Sequence, residues 1–112
     1  MRPISSKWLK DSITLLQEMH DPFGNGALTE LATLTRVRVE HAEKIVKDKN
    51  GNETTANLRL FVDVVHTLPT NYALGLKLGD IMQYLGNIYT VVQVKPFHDM
   101  DGLHHIEVLL NG

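Results

Sequence analysis

The sequence predicts an all-β protein: a small antiparallel β-barrel or sandwich of about six strands, with a long polar loop and at most one short helix. Three observations carry this. Apolar residues alternate with polar ones in several short runs, which is the period of a half-buried strand and not of a helix. Those runs are rich in Val, Ile and Thr, whose branched side chains pack well on a pleated surface. Turn signals separate them: DPFGNG at 21–26, NG at 50–51, GN at 86–87 and HDMDG at 98–102. Many short strands with turns between them imply a sandwich or a barrel.

Residues 1–11 read as an N-terminal arm, with Arg2, Lys7 and Lys10 around the single tryptophan, Trp8. Pro3 discourages a helix before Ile4, and Ser5-Ser6 can start a turn or one helical turn through Lys10. Two readings stand side by side: an arm whose Trp8 caps the core, or a docking segment, since a large aromatic among basic residues is a common interface anchor. Arg2, Trp8 and Lys10 are therefore the candidate assembly contacts. Residues 13–19 form the first strand. The second begins at Ala27 and runs through Ala42, with Thr33, Thr35, Val37 and Val39 on one side and Leu34, Arg36, Arg38 and Glu40 on the other. Its charged side reads as a solvated edge that discourages unwanted pairing.

Residues 43–57 are polar and read as a protruding hairpin or loop, because Asn-Gly is a strong hairpin signal and polar flanks keep the tip out of a core. Lys44, Lys47, Lys49, Asn50 and Gly51 are its candidate functional residues. Over 58–65, Leu58, Leu60, Val62 and Val64 alternate with Arg59, Phe61, Asp63 and Val65, giving a third strand. A connection follows over 66–75. Residues 77–96, KLGDIMQYLGNIYTVVQVKP, then read as two strands joined at Gly86-Asn87. On the return strand Ile88, Thr90, Val92 and Val94 share one face, and Tyr89, Val91 and Gln93 the other, so both faces are partly apolar. Such a strand is covered on both sides. Lys95-Pro96-Phe97 ends it, and 103–110 is the last strand, with Ile106, Val108 and Leu110 facing one way.

Composition narrows the function classes. The 112 residues form one domain, able to bury roughly 65% of the surface the unfolded chain exposes. Eleven basic and thirteen acidic residues, mixed along the chain, give a net charge of -2, which disfavours a general DNA-binding role. The chain has no cysteine, which removes disulfides, thiolate metal sites and thiol nucleophiles, and suits a reducing cytoplasm. No apolar run is long enough for a membrane span, and the first twenty residues lack a signal-peptide centre, so synthesis and use in the cytosol, away from membranes, are expected.

Six histidines invite a metal site, and His98, Asp99, Asp101, His104 and His105 lie close together in sequence. Neighbours on a strand point to opposite faces, however, so His104 and His105 are expected to be apart and no metal or other cofactor is expected. Ser5, Ser6 and Ser12 have no elbow glycines around them, and neither GxSxG, GxGxxG nor a P-loop occurs. No two carboxylates stand out as a catalytic pair. An enzyme is not expected. The loop lysines read either as a solvated loop offset by Glu43 and Asp48, or as a basic element that a cyclic assembly would repeat into a ring.

Taken together, MRPI, RVRVEHAEKIVKDKNGNE, LFVDVVHTLP, GDIMQYLGNIYTVVQVKPF and LHHIEVLL give the chain a resemblance to the small minor capsid proteins of long-tailed phages, head-to-tail connectors of the head-closure, or stopper, type. The resemblance covers nearly the whole length and departs from the family in a more extended DPFGNGAL turn. It implies a β-barrel forming a ring, twelve-fold or six-fold, beneath the portal and its adaptor in the neck of the virion. Such a ring retains packaged DNA, which it touches only through a channel loop, here 44–57, and offers a docking surface to the tail terminator or tail-tube protein. The arm over 1–10 would contact the adaptor or the next subunit. A tail terminator or tail-completion protein is the nearest alternative. The alternative of a different class is a small nucleic-acid-binding barrel, disfavoured because Trp8, Phe23, Phe61, Tyr72, Tyr84, Tyr89 and Phe97 read as scattered or placed in strand cores.

Overall fold

The computed structural model describes residues 9–20, 26–47, 50–100 and 102–112. Six strands occur among them: β1 (Asp11–His20), β2 (Gly26–Lys47), β3 (Glu53–Asp63), β4 (Ile81–Tyr84), β5 (Asn87–Asp99) and β6 (Gly102–Asn111). Every neighbouring pair is antiparallel, and the order β1-β2-β3-β6-β5-β4 closes on itself through β1 and β4. Of the barrel and the sandwich that the sequence allows, the chain adopts the closed barrel. The one helix among the described residues, α1 (Thr70–Leu74), lies inside the connection between β3 and β4. The turn or helical turn expected before Lys10 falls on residues 1–8, outside the described residues.

The barrel interior holds one main core. Leu58, Leu60 and Val62 from β3 and Ile106, Val108 and Leu110 from β6 meet there, as their alternation predicts. β2 and β5 do not follow simple alternation. In β2, Leu34 and Val37 are both fully buried although they are three residues apart. Arg36 is the cause: it is inserted between the pairs Thr35↔Ser12 and Val37↔Asp11, with φ 57. An inserted residue reverses which face the following side chains take. The side predicted to hold Thr33, Thr35, Val37 and Val39 together is therefore split. Nor is β2 an edge. Arg38 and Glu40 sit mid-barrel, half-buried, with Glu40 3.4 Å from both Arg38 and Arg59.

The same device acts in β5, where Val92 is inserted between Val91↔Leu110 and Gln93↔Leu109. The interior thus receives Tyr89, Val91 and Val94, so the two predicted faces, Ile88, Thr90, Val92 and Val94 on one and Tyr89, Val91 and Gln93 on the other, are mixed. Val92 instead joins Val46, Ala56 and Leu109 in a second buried cluster. Leu109 and Leu110 are consecutive on β6 and so point to opposite faces, which puts this second cluster on the outside of the barrel wall. The double-sided apolar character of β5 is explained by this cover.

Two further boundaries differ from expectation. The β4–β5 turn is centred on Leu85 and Gly86, at φ 50 and 81, with Tyr84 paired to Asn87. Positive φ at both central residues is the signature of a tight hairpin turn, so the turn falls one residue before Gly86-Asn87. β5 also continues through Pro96 to Asp99 and does not end at Lys95-Pro96-Phe97.

β2 is 22 residues long. Fully straight it would span about 70 Å, yet the longest extent of the molecule is 50 Å. Irregularities at Leu31, at Arg36 and at Ala42-Glu43 bend it around the barrel. Both of its ends run past the barrel as two-stranded ribbons: with β1 from Gln17↔Thr29 to His20↔Gly26, and with β3 from Lys44↔Ala56 to Lys47↔Glu53.

Candidate functional site

The β2–β3 ribbon carries most of the residues singled out in the sequence. Of the hairpin and the loop that the sequence allows here, the segment 44–57 is a hairpin. Strand pairing continues through Lys47 and resumes at Glu53, and only the tip lies between. Asn50 and Gly51 are exposed there, Gly51 at φ 81, a conformation glycine adopts without steric cost. Lys49 lies outside the described residues. Lys44 and Lys47 are both exposed but point to opposite faces, since Lys44 shares its side with buried Val46 and Lys47 shares its side with Ile45. Lys44 borders a groove with Arg59, Gln93, Lys95 and Glu107, whereas Lys47 stands opposite Glu53. The ribbon therefore does not gather Lys44 and Lys47 into one patch.

What holds this ribbon is a set of contacts the sequence did not signal. Val46 and Ala56 pack on Val92 and Leu109. The Asn111 amide donates to Thr54 Oγ1 at 2.8 Å and to the Thr55 carbonyl. Asn57 Nδ2 donates to the Gly112 carbonyl at 3.2 Å, and the Gly112 N–H donates back to Asn57 Oδ1 at 3.1 Å. The ribbon's base is thus tied to the last two residues, and its tip is left in solvent.

Of the arm candidates, Lys10 is exposed, while Arg2 and Trp8 lie outside the described residues. Leu9, the first residue described, is buried.

The histidines correct an expectation. His104 is inserted between the pairs Phe97↔His105 and His98↔Leu103, so the rule that sends neighbours to opposite faces fails at this point. The two rings approach each other, Nδ1 to Nδ1, at 2.7 Å, a hydrogen bond in which one ring donates and the other accepts. Phe97 stacks on His105 at 4.7 Å between centroids and 6° between planes. Burial, and then the neighbouring His104, push the His105 pKa down, against the opposing pull of Glu107 and Asp63. Asp101 lies outside the described residues, and among those described no group of three or more His, Asp or Glu is placed to hold a metal.

Two aromatic residues are also placed differently than expected. Leu60 and Val62 point inward, so Phe61 points out, and Phe97 pairs with His105 on the same outer face. Phe61, His105 and Phe97 form one outer cluster with centroid separations of 6.5 and 4.7 Å from His105. Lys95 Nζ lies 5.5 Å from the centre of the Phe97 ring.

Beside this face, Asp63 and Thr67 are fully buried polar residues that sequence reasoning missed. Asp63 Oδ1 accepts from the Val65 and His66 N–H groups at 2.7 and 3.1 Å, which turns the chain at the end of β3. Thr67 Oγ1 accepts from the Asp63 N–H at 2.9 Å and donates to the Arg36 carbonyl at 2.8 Å. These two side chains pin the inserted residue of β2. A D-x-x-x-T spacing just after an alternating strand is the faint signal that could have found them.

At the other ribbon, β4 pairs with β1 only over Thr14, Leu15 and Leu16. Beyond that point a cleft of about 500 Å³ opens, lined among the described residues by Gln17, Glu18, Leu31, Tyr72, Lys77 and Ile81 and their neighbours. No helix among the described residues is long and apolar enough to cross a membrane. No protein-family model matches the chain, and none of the curated proteins is similar to it.

Proposed function

We propose that this chain is a structural, non-enzymatic component of a phage neck: a head-closure protein that assembles as a ring below the portal and adaptor, retains packaged DNA and receives the tail. The observation that carries this reading is where the barrel leaves its strand edges open. Closure removes edges from most of the barrel wall, and among the described residues the unpaired edges include those of the two ribbons, at the two ends of β2, and that of β5 beyond Val91, where β4 no longer pairs with it. Free edges are the parts of a sheet that pair with another chain. Placed at two ends of one subunit they favour a head-to-tail contact, the kind that closes into a ring. The surface of 7078 Å² is ample, since two neighbours at roughly 800 Å² each take less than a quarter of it.

In such a ring the β2–β3 tip, with Asn50 and Gly51 exposed and lysines on the ribbon behind it, is the element suited to reach a channel. Lys44 and Lys47 face two ways, so the ribbon would obstruct DNA by bulk more than by charge, with a shallow dependence of DNA contact on salt. Electron microscopy of particles carrying the protein tests the reading. A ring of density between portal and tail, with the 48–52 tip in the channel, is expected. Density at the upper end of the tail tube would make the protein a terminator, and its absence from the neck would refute both. A chain shortened across Asn50-Gly51 should fold normally and yield heads that leak DNA, and full retention would refute the gating role.

One observation favours a second reading, a barrel that binds single-stranded nucleic acid. Phe61, His105 and Phe97 share an outer face with Arg38, Arg59 and Lys95, as a stacking platform requires. Against it, Phe97 is already stacked by His105 and approached by Lys95, and Arg59 is engaged with Glu40 and Glu107. Binding of an oligonucleotide at physiological salt that is lost in Phe97→Ala would establish this alternative.

A further inference from the structure

The cleft beside β1 has the features of a receptor for an extended segment. β4 covers the outer edge of β1 as far as Leu16, which pairs with Ile81. From Gln17 to His20, β1 goes on pairing with β2 while no third strand pairs with it among the described residues. The open edge faces a wall made by α1 and the turn before β4, with Tyr72 and Lys77 as parts of it. A strand laid there would continue the sheet where β4 leaves it. At about 500 Å³ the cleft falls within the roughly 300–1,000 Å³ that suits a bulky anchor. Leu31, 37% exposed, supplies apolar surface at its floor.

Charge says what kind of segment fits. Glu18 and Asp80 line the cleft against one cation, Lys77, Glu30 is exposed beside it opposite Leu16, and residues 11–35 contain neither Lys nor Arg. Residues 1–10 contain Arg2, Lys7 and Lys10 and no acid, together with the only tryptophan. The chain thus carries an acidic ribbon and a basic, aromatic arm that complement each other.

Reach decides which copy supplies the arm. Trp8 stands three residues before Asp11, about 11 Å at full extension. β1 from Asp11 to Gln17 spans about 20 Å, so a subunit's own Trp8 falls short of Gln17 and the open edge beyond it, and a neighbour's does not. We propose that this cleft receives the arm over 1–8 of a second copy of the chain, which adds a strand to β1 at Gln17–His20 and seats Trp8 in the cleft. The proposal rests on the ring-assembly reading above, to which it assigns the subunit contact. The contact is heterologous, because arm and cleft are different surfaces, and repeating it generates a ring.

The chain's lack of cysteine makes the test direct. Full-length Ser6→Cys and Gln17→Cys variants, mixed at high and equal concentrations, are treated with a short bismaleimide linker. Covalent dimers joining positions 6 and 17 are expected, and a Met100→Cys control in place of Gln17→Cys should give none above background. Glu18→Lys and Trp8→Ala should each lower the yield by about tenfold. Trp8 emission should also shift to the blue as concentration rises, as the indole leaves water. No 6–17 dimer, or an intrachain link alone in the double variant, overturns the proposal. The test uses purified protein, so its outcome is separate from that of microscopy: dimers with no density at the neck would refute the neck reading alone, and a neck ring without 6–17 links would refute the arm contact alone.

Discussion

Thr67→Val probes the pin that lets β2 reverse its faces. Valine keeps the shape of threonine and removes its hydroxyl. That hydroxyl accepts from the Asp63 N–H at 2.9 Å and donates to the Arg36 carbonyl at 2.8 Å, in a side chain with no exposed surface. Removing it leaves one buried donor and one acceptor without this partner, at about 1–3 kcal/mol for each group left unsatisfied. The Arg36 carbonyl sits near the surface and recovers part of its share from water, so a loss of about 2–4 kcal/mol is expected. For a domain of this size, that lowers the melting temperature by about 8–16 °C. Chemical denaturation with unchanged slope, alongside calorimetry, measures it. Thr14→Val is the control, because its 3.4 Å contact with Thr33 is exposed, and it should move stability by less than about 0.5 kcal/mol. If Thr67→Val behaves like that control, the inserted residue is held by something other than Thr67, and the Thr67 hydroxyl does not pin β2.

Further outcomes are expected at three other positions. Leu109→Ala should cost about 2–3 kcal/mol and raise amide exchange in Lys44–Lys47 and Glu53–Ala56 ahead of Leu58–Asp63, because it empties the outer cluster and spares the main core; uniform exchange would show one cooperative unit. Gly86→Ala should lose about 1 kcal/mol through positive φ alone, with no change in the β4–β5 register by NMR. His105 has a lowered pKa in the folded state, so between that value and its unfolded value near 6.5 the unfolded chain binds more protons. Stability should therefore be highest above about pH 6.5 and fall as pH drops below it. His105→Gln should flatten that fall, and a wild-type profile rising toward acid would contradict the burial argument.

The sequence was legible where strands run without insertions. The inward sets of β3 and β6 follow strict alternation, so Leu58, Leu60, Val62, Ile106, Val108 and Leu110 could be placed from spacing alone. The faces of β2 and β5 could not, because Arg36 and Val92 carry no mark of the extra residue they represent. Arg36 even adopts a positive φ that a long side chain disfavours, and only the distant Asp63 and Thr67 explain why it does so. The β4–β5 turn was misplaced by one for a related reason: leucine is a poor choice at positive φ, and cross-strand pairing overrode that preference at Leu85. α1 has five residues and one buried side chain, Ala73, too few to show a helical period. Among the candidate residues, the exposed Asn50-Gly51 tip was readable from its turn chemistry. The separation of Lys44 from Lys47, the joining of His104 to His105 and the cleft at Gln17 depend on strand register across the barrel, which no local window of sequence contains.

The continuity of β2 has a mechanical consequence. One unbroken strand runs from the ribbon at Gly26 to the ribbon at Lys47, with β1 and then β3 bonded along its length. A pull between the two ribbon tips is borne by covalent backbone, and the ladders beside it, whose bonds lie perpendicular to the strand, are loaded sideways and all together. Such a beam yields only when many bonds slip at once, whereas a hairpin peeled from its end opens one bond at a time. The three insertions are then the compliant points of the beam, where it flexes under load before its ladders give way.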